Sequence, residues 1–171
     1  MAIETGPTDK LAVFISYSRD DIDIADGLEV TLELAGFAPT LDRHGISGAE
    51  NWQQRLGAMI RDADTVVFVL SPSSARSDIC KWEVKEAVRL GKRIVPVAGC
   101  TLDGATPPPE LAALNYIFLY REPKQPGSGI KSGTADLIKA LKTDLGWLRE
   151  HTRYLQGRWS GTPAAGKRTA Y

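Results

Sequence analysis

Apolar residues along this chain fall into two interleaved patterns, short continuous runs and longer stripes at helical spacing. Five runs are near-continuous rather than alternating: Leu11 to Ile15, Phe37 to Leu41, Val66 to Leu70, Ile94 to Ala98 and Tyr116 to Tyr120. That is the pattern of strands covered on both faces, as in a parallel sheet. Between them, Ile24, Leu28, Leu32 and Ala35 mark a helix, with Ser18 and Asp21 spaced as a capping box and Gly36 as its stop. Trp52, Leu56, Met59 and Ile60 mark a second helix ending near Ala63. A third, Ile79 to Leu90, opens after a short polar loop near Ser77 or Asp78 and closes at Gly91. The connection 99–113 holds Pro107-Pro108-Pro109 and reads as loop, and the Gly/Pro/Ser-rich stretch 123–133 leads to a last helix over 134–148.

Alternating strands and helices predict an α/β, flavodoxin-like fold: a five-stranded parallel sheet of order 2-1-3-4-5 with helices on both faces. Pro39 suits a second strand at the sheet edge, whereas Pro96 runs against an interior fourth strand. The domain is expected over 10–150, after a disordered lead 1–9. Residues 151–171 read as a tail or linker toward a further domain, because 160–171 are polar and rich in Gly, Pro and Ala.

Composition narrows the function classes. The 171 residues carry no formal net charge, which argues against direct nucleic-acid binding and against an anionic membrane surface. The two cysteines, Cys80 and Cys100, have neither metal spacing nor a disulfide framework. The first ten residues lack the apolar core of a signal peptide and no apolar run is long enough to span a bilayer, so a cytoplasmic location is expected.

Candidate chemistry gathers where this topology places ligands, outside the carboxyl ends of the strands at the switch point between the first and third. Ser16-Tyr17-Ser18-Arg19, the stretch 41–52 and the stretch 71–83 converge there. They supply hydroxyls, a cation, an aromatic ring and one carboxylate, Glu83. On a helical wheel Cys80, Val84, Ala87 and Val88 form the apolar face of the third helix. Glu83 falls at the rim of that face, and Trp82 points away from it, toward solvent or a partner. A rim carboxylate beside a buried strand end suits either a solvated helix surface or a partly desolvated ligand site. Asp20-Asp21 suggests an acidic phosphoacceptor pocket, but Leu70-Ser71 and Tyr120-Arg121 stand where that chemistry needs an aspartate and a lysine. His44 and His151 have no fitting nucleophile pattern, and no phosphate-cradling glycine motif follows the first strand.

Phe14-Ile15-Ser16-Tyr17-Ser18 resembles the first box of Toll/interleukin-1 receptor (TIR) domains. The stretch 41–52, LDRHGISGAENW, resembles their BB loop entering the second helix. Val69 to Pro72, Cys80-Lys81-Trp82-Glu83 and Gly91 to Val97 match the later core, so the resemblance covers residues 10–148. The bacterial members are the most similar in texture. The resemblance implies cleavage of the nicotinamide–ribose bond of NAD+, a substrate rather than a cofactor, by a NADase that hydrolyses or cyclises it. It makes Glu83 the catalytic residue and Ser16, Tyr17, Arg19, Trp52 and Ser71 substrate-binding candidates. Trp52 equally suits a core anchor for its helix, Arg19 a surface ion pair, and Ser71 a cap for the turn at Pro72. Asp42 and Arg43 are expected to shape the loop. Many NADases of the family carry tryptophan four residues before the glutamate; here Ile79 stands there. The resemblance also implies self-association with other TIR domains, with His44, Gly45, Ile46 and Gly48 forming the assembly loop. The function implied is a signalling or immune effector module, with a non-catalytic adaptor domain as the alternative.

Overall fold

In a computed structural model of the protein, which describes residues 10–43, 51–143 and 145–159, the apolar runs form one parallel sheet. Its strands are β1 (Ala12–Ser16), β2 (Ala38–Leu41), β3 (Thr65–Leu70), β4 (Arg93–Ala98) and β5 (Ile117–Phe118). Their spatial order is β2-β1-β3-β4-β5, the order the sequence predicts. The helices are α1 (Ile22–Leu34), α2 (Trp52–Asp62), α3 (Pro72–Arg76), α4 (Asp78–Arg89), α5 (Ile130–Leu141) and α6 (Leu145–Trp159). Among the described residues, no helix is long and apolar enough to cross a membrane.

Strand side chains alternate across the sheet and build two layers of core. Val13, Ile15, Val67, Val69 and Val97 pack against Leu28 and Leu32 of α1 and Leu137 and Leu141 of α5. On the other face Phe14 and Val66 pack against Leu56 and Ile60 of α2, Ala87 of α4 and Leu155 of α6. β3 is buried along its whole length because it lies mid-sheet with helices on both sides.

The two strand prolines follow from position. β2 is the edge strand, so Pro39 costs no ladder bond on its open side. β5 pairs only with Val97 and Ala98, so at Pro96 the β4 strand is still open toward β5. The interior strand is therefore an edge at that residue.

Lys92 and Arg93 tie the layers together. Adjacent residues entering a strand point to opposite faces. The Lys92 ammonium donates to the Arg61 and Ala63 carbonyls at the end of α2, at 2.8 and 2.5 Å, and to Thr152 Oγ1 of α6. The Arg93 guanidinium donates to the Ala140, Leu141 and Thr143 carbonyls at the end of α5. Cations on exposed helix-terminal carbonyls complement the orphan acceptors and the helix dipole. At Gly133 a Cβ would lie 2.2 Å from the Phe118 carbonyl oxygen, so only glycine lets α5 approach β5 this closely.

Four local expectations change. The Ser18–Asp21 capping box does not form: a single 3₁₀ turn, Arg19–Asp21, precedes α1, and neither side chain caps it. The polar loop after β3 contains α3, because Ser71 and Ser74 cap its start reciprocally and Pro72 takes the first helical position. The last helix is two, α5 and α6, rather than one over 134–148. The boundary at residue 150 falls inside α6, where Leu148, Thr152 and Leu155 are buried against the domain. Residues 151–159 are thus part of the packed unit, and 160–171 lie outside the described residues.

Candidate functional site

The site is built by the ends of β1 and β2 facing the start of α4. Ser77 caps α4, its hydroxyl accepting from the Cys80 amide at 3.2 Å. That fixes the first turns of the helix against the sheet and turns Cys80, Glu83, Val84 and Ala87 inward, while Val88 is exposed. Glu83 is therefore not a rim residue: only 5 % of it is exposed. The wheel placed it one notch too far out because its face is covered by β1 as well as by the helix's own apolar neighbours.

Glu83 lines a cleft of about 350 Å³ together with Phe14, Ile15, Tyr17, Asp42, Leu56 and Ile79. The Ser16 hydroxyl, buried at the end of β1, donates to Glu83 Oε2. Burial pushes the Glu83 carboxyl up to about 8, the Ser16 hydrogen bond opposes this, and the charge of Asp42 adds to it. A neutral acid is favoured because its charged form loses water and gains little in return. Cys80 lines the same cleft, but burial, then the charge of Glu83, raises its thiol to about 12, so it is not a nucleophile at neutral pH.

Tyr17 and Arg19 also line the cleft, as expected. The Tyr17 hydroxyl donates to the Asp42 carbonyl at 2.9 Å, and Asp42 itself pairs with Arg55 at 2.9 Å. Asp42, expected only to shape its loop, is thus a wall of the cleft and tunes Glu83. Its neighbour Arg43 pairs with Asp26 and Glu29 of α1. The sequence signal missed was the pairing of Asp42 with Arg55, thirteen residues on.

Two candidates sit elsewhere. Trp52 packs edge-on against Trp82, ring centroids 5.3 Å apart, and the pair belongs to the core between α2 and α4. This fulfils the anchor expectation for Trp52 and corrects Trp82, which points to a partner helix rather than to solvent. Ser71 caps α3 and donates to Asp21 at 2.5 Å, tying the turn after β1 to the turn after β3. Ile79 occupies a wall of the cleft, so an aliphatic side chain stands where the family resemblance led one to expect tryptophan. The assembly-loop residues His44, Gly45, Ile46 and Gly48 lie outside the described residues. Among the described residues, no cluster of His, Cys, Asp and Glu could hold a metal ion.

Comparison with known proteins agrees with this architecture. A family model described as TIR domain matches residues 13–131. Among solved structures, the chain is similar to the TIR domain of the Toll-related receptor TRR-2 from Hydra magnipapillata. The TM-score is 0.61 and the identity 16%, covering 80% of this chain and 100% of that one. It is similar to a prokaryotic SEFIR domain at TM-score 0.59 and 17% identity, covering 79% of this chain and 94% of that one. A metazoan TIR-STING receptor from C. gigas, solved in complex with 2′,3′-cGAMP, aligns at TM-score 0.58 and 24% identity. That alignment covers 83% of this chain and 43% of the receptor. A search of curated proteins finds no match. With the sheet order, the β1 box and the family match over most of its length in agreement, the chain belongs to the TIR domain family.

Proposed function

We propose that this TIR domain cleaves the nicotinamide–ribose bond of NAD+ through Glu83, as a cytoplasmic signalling or effector module. The observation that carries this reading is a single desolvated carboxyl, held by Ser16, on the wall of a cleft at the sheet's switch point. Strongly shifted carboxyls in clefts are where catalytic groups concentrate.

One carboxylate suffices for this chemistry. Nicotinamide departs as a neutral molecule carrying the electron pair of the broken C–N bond, so no general acid is required. Positive charge develops at the ribose C1′ and O4′, as in glycoside hydrolysis. The Glu83 carboxylate holds the ribose hydroxyls and offsets that charge inside a cleft where few dipoles compete. Water then attacks C1′ to give ADP-ribose and a proton, or the adenine attacks to give a cyclic product. The cationic nicotinamide ribosyl group favours the ionised glutamate when it binds, which offsets part of the desolvation cost. Tyr17 and Arg19 line the same cleft, and Phe14, Leu56 and Ile79 supply apolar walls.

Incubation of concentrated protein with NAD+, following nicotinamide release, tests the proposal. Wild type releases nicotinamide and Glu83→Gln does not. Equal release from both removes Glu83 from the mechanism. No release from a wild-type sample shown to be assembled favours the adaptor reading instead.

A further inference from the structure

A second cavity, of about 500 Å³, lies at the carboxyl ends of β4 and β5 and shares no lining residue with the Glu83 cleft. The connection between these strands carries a 3₁₀ turn, Pro109–Leu111, where the earlier connections carry α-helices. β5 is also an edge strand, so its side chains are less covered than those of β3. Ile117 and Leu119 pack into the core with α5. By strand alternation Tyr116, Phe118 and Tyr120 turn the other way, half-buried, and line the cavity. The Phe118 and Tyr120 rings meet edge to face, with centroids 5.8 Å apart. An aromatic wall in a cavity of this size suits a small planar ligand.

The polar lining says which one. Tyr120 Oη donates to Glu122 Oε2 at 2.6 Å, and the Lys124 amide donates to Oε1 at 3.3 Å. The Ser128 hydroxyl accepts from the Glu122 amide at 2.7 Å and donates to the Glu122 carbonyl at 3.2 Å, which closes the loop 122–128. The Tyr120 hydrogen bond, above all, holds the Glu122 carboxyl below its ordinary value, so the group is an anion at neutral pH. These bonds use one acceptor position on each oxygen and leave another, side by side. Lys124 lines the same cavity and supplies a cation. Among the common bases, guanine presents two adjacent donors, N1–H and its 2-amino group. Adenine and cytosine set a ring-nitrogen acceptor beside the amine, and uracil flanks its N–H with carbonyls. A guanidinium offers the same fork of donors, but its charge is opposed by Lys124.

We infer that this cavity binds a guanine nucleotide, its base packed on the Tyr116, Phe118 and Tyr120 wall and donating to the Glu122 carboxylate, its phosphate met by Lys124. The aromatic wall is indifferent to the base, because every base has a face to pack. Selection comes from the carboxylate, which rewards two donors and repels an acceptor. Lys124 acts as a point charge on the phosphate and adds affinity without adding selectivity among bases. The site is separate from the Glu83 cleft and is read by binding rather than by nicotinamide release, so the inference stands or falls apart from NAD+ cleavage.

Isothermal titration calorimetry of the full chain with guanosine monophosphate, without NAD+, tests it. Saturable binding is expected, with adenosine monophosphate at least about tenfold weaker and guanosine weaker than its monophosphate. Glu122→Gln puts an amide N–H against one guanine donor, weakens guanosine monophosphate about tenfold and removes the preference over adenosine monophosphate. Lys124→Gln lowers guanosine monophosphate to the level of guanosine and leaves guanosine unchanged, a split that a merely structural role would not produce. It keeps the backbone amide that the loop uses, so it serves if Glu122→Gln disturbs the loop. No saturable binding, equal affinity for the two monophosphates, or free arginine bound more tightly than guanosine monophosphate overturns the inference. So does binding that ignores both Glu122→Gln and Lys124→Gln, including binding that Glu83→Gln abolishes instead.

Discussion

Glu83 and Lys92 are two buried ionisable groups, 5 % and 6 % exposed, at opposite ends of the strands, and both are pushed to about 8. The leading cause is the same desolvation, acting upward on the acid and downward on the base. Their surroundings differ. The Lys92 ammonium is met by two helix-end carbonyls and a threonine hydroxyl, enough to satisfy its three donors. Glu83 is met by the Ser16 hydroxyl, faces the negative charge of Asp42, and opens onto a cleft. A buried charge whose hydrogen bonds are supplied by the fold is structural. One held in place but still short of compensation, beside space for a ligand, is the group that the proposed reaction would use.

Exchanging the two groups' fates is the largest test of that contrast. Glu83→Gln lowers the rate of nicotinamide release by roughly a hundredfold or more, the loss typical of removing a group that stabilises transition-state charge. It leaves the fold intact. Lys92→Met does the reverse: the helix-end carbonyls lose their donor, and chemical denaturation shows a loss of about 2–3 kcal/mol. Nicotinamide release per folded molecule stays unchanged.

Stability against pH separates them next. Below the ordinary carboxyl value of 4.5, folded and unfolded chains both hold the Glu83 proton and the group contributes nothing. Between 4.5 and about 8 the unfolded chain loses the proton that the folded chain keeps, so this group's contribution to stability falls as pH rises. Above about 8 the full cost is present. Glu83→Gln removes that cost, so by thermal denaturation its Tm matches wild type near pH 4.5 and exceeds it by roughly 10 °C at pH 8.5. For Lys92 the window is 8 to 10.5: the unfolded chain keeps a proton that the folded chain has lost, and stability rises with pH. The deficit of Lys92→Met is accordingly larger at pH 10 than at pH 7. A Tm difference for Glu83→Gln that does not change with pH would sink the assignment of a neutral buried acid.

The smallest effect sharpens the role of Ser16. With the Glu83 carboxyl at about 8, only about a tenth of free protein carries the carboxylate at pH 7, so kcat/KM rises with pH and levels off above 8. Ser16→Ala removes the hydrogen bond that opposes this shift. The rise moves to higher pH, with about a threefold to tenfold loss of kcat/KM at pH 7 and near-normal rates at the plateau. A uniform loss at all pH values would make Ser16 a packing residue rather than a positioning one.

The fold was largely legible in the residues because its signals are local. Continuous apolar runs gave β1 to β4, and Gly36 and Gly91 ended α1 and α4 with positive φ, as expected. The failures are equally physical. Ser71 reads as a turn residue until Ser74 and Pro72 are seen to complete a helix start, and α6 is hidden by the Gly/Pro composition that follows it. Tyr17 was legible as a residue beside the cleft because it follows directly on β1, whereas positions where a side chain chose between neighbours were not. Trp52 chose Trp82, and Asp42 chose Arg55.

By itself the sequence determined the parallel sheet, its order and the end at which the candidate site lies, because periodicity and strand topology depend on residues near in sequence. It also supplied Glu83 as the carboxyl. Only the tertiary structure decided that Glu83 is buried and held by Ser16, 67 residues away, while Lys92 is equally buried yet satisfied. Desolvation and hydrogen-bond compensation are set by what packs around a group, and those neighbours are brought together by folding rather than by spacing.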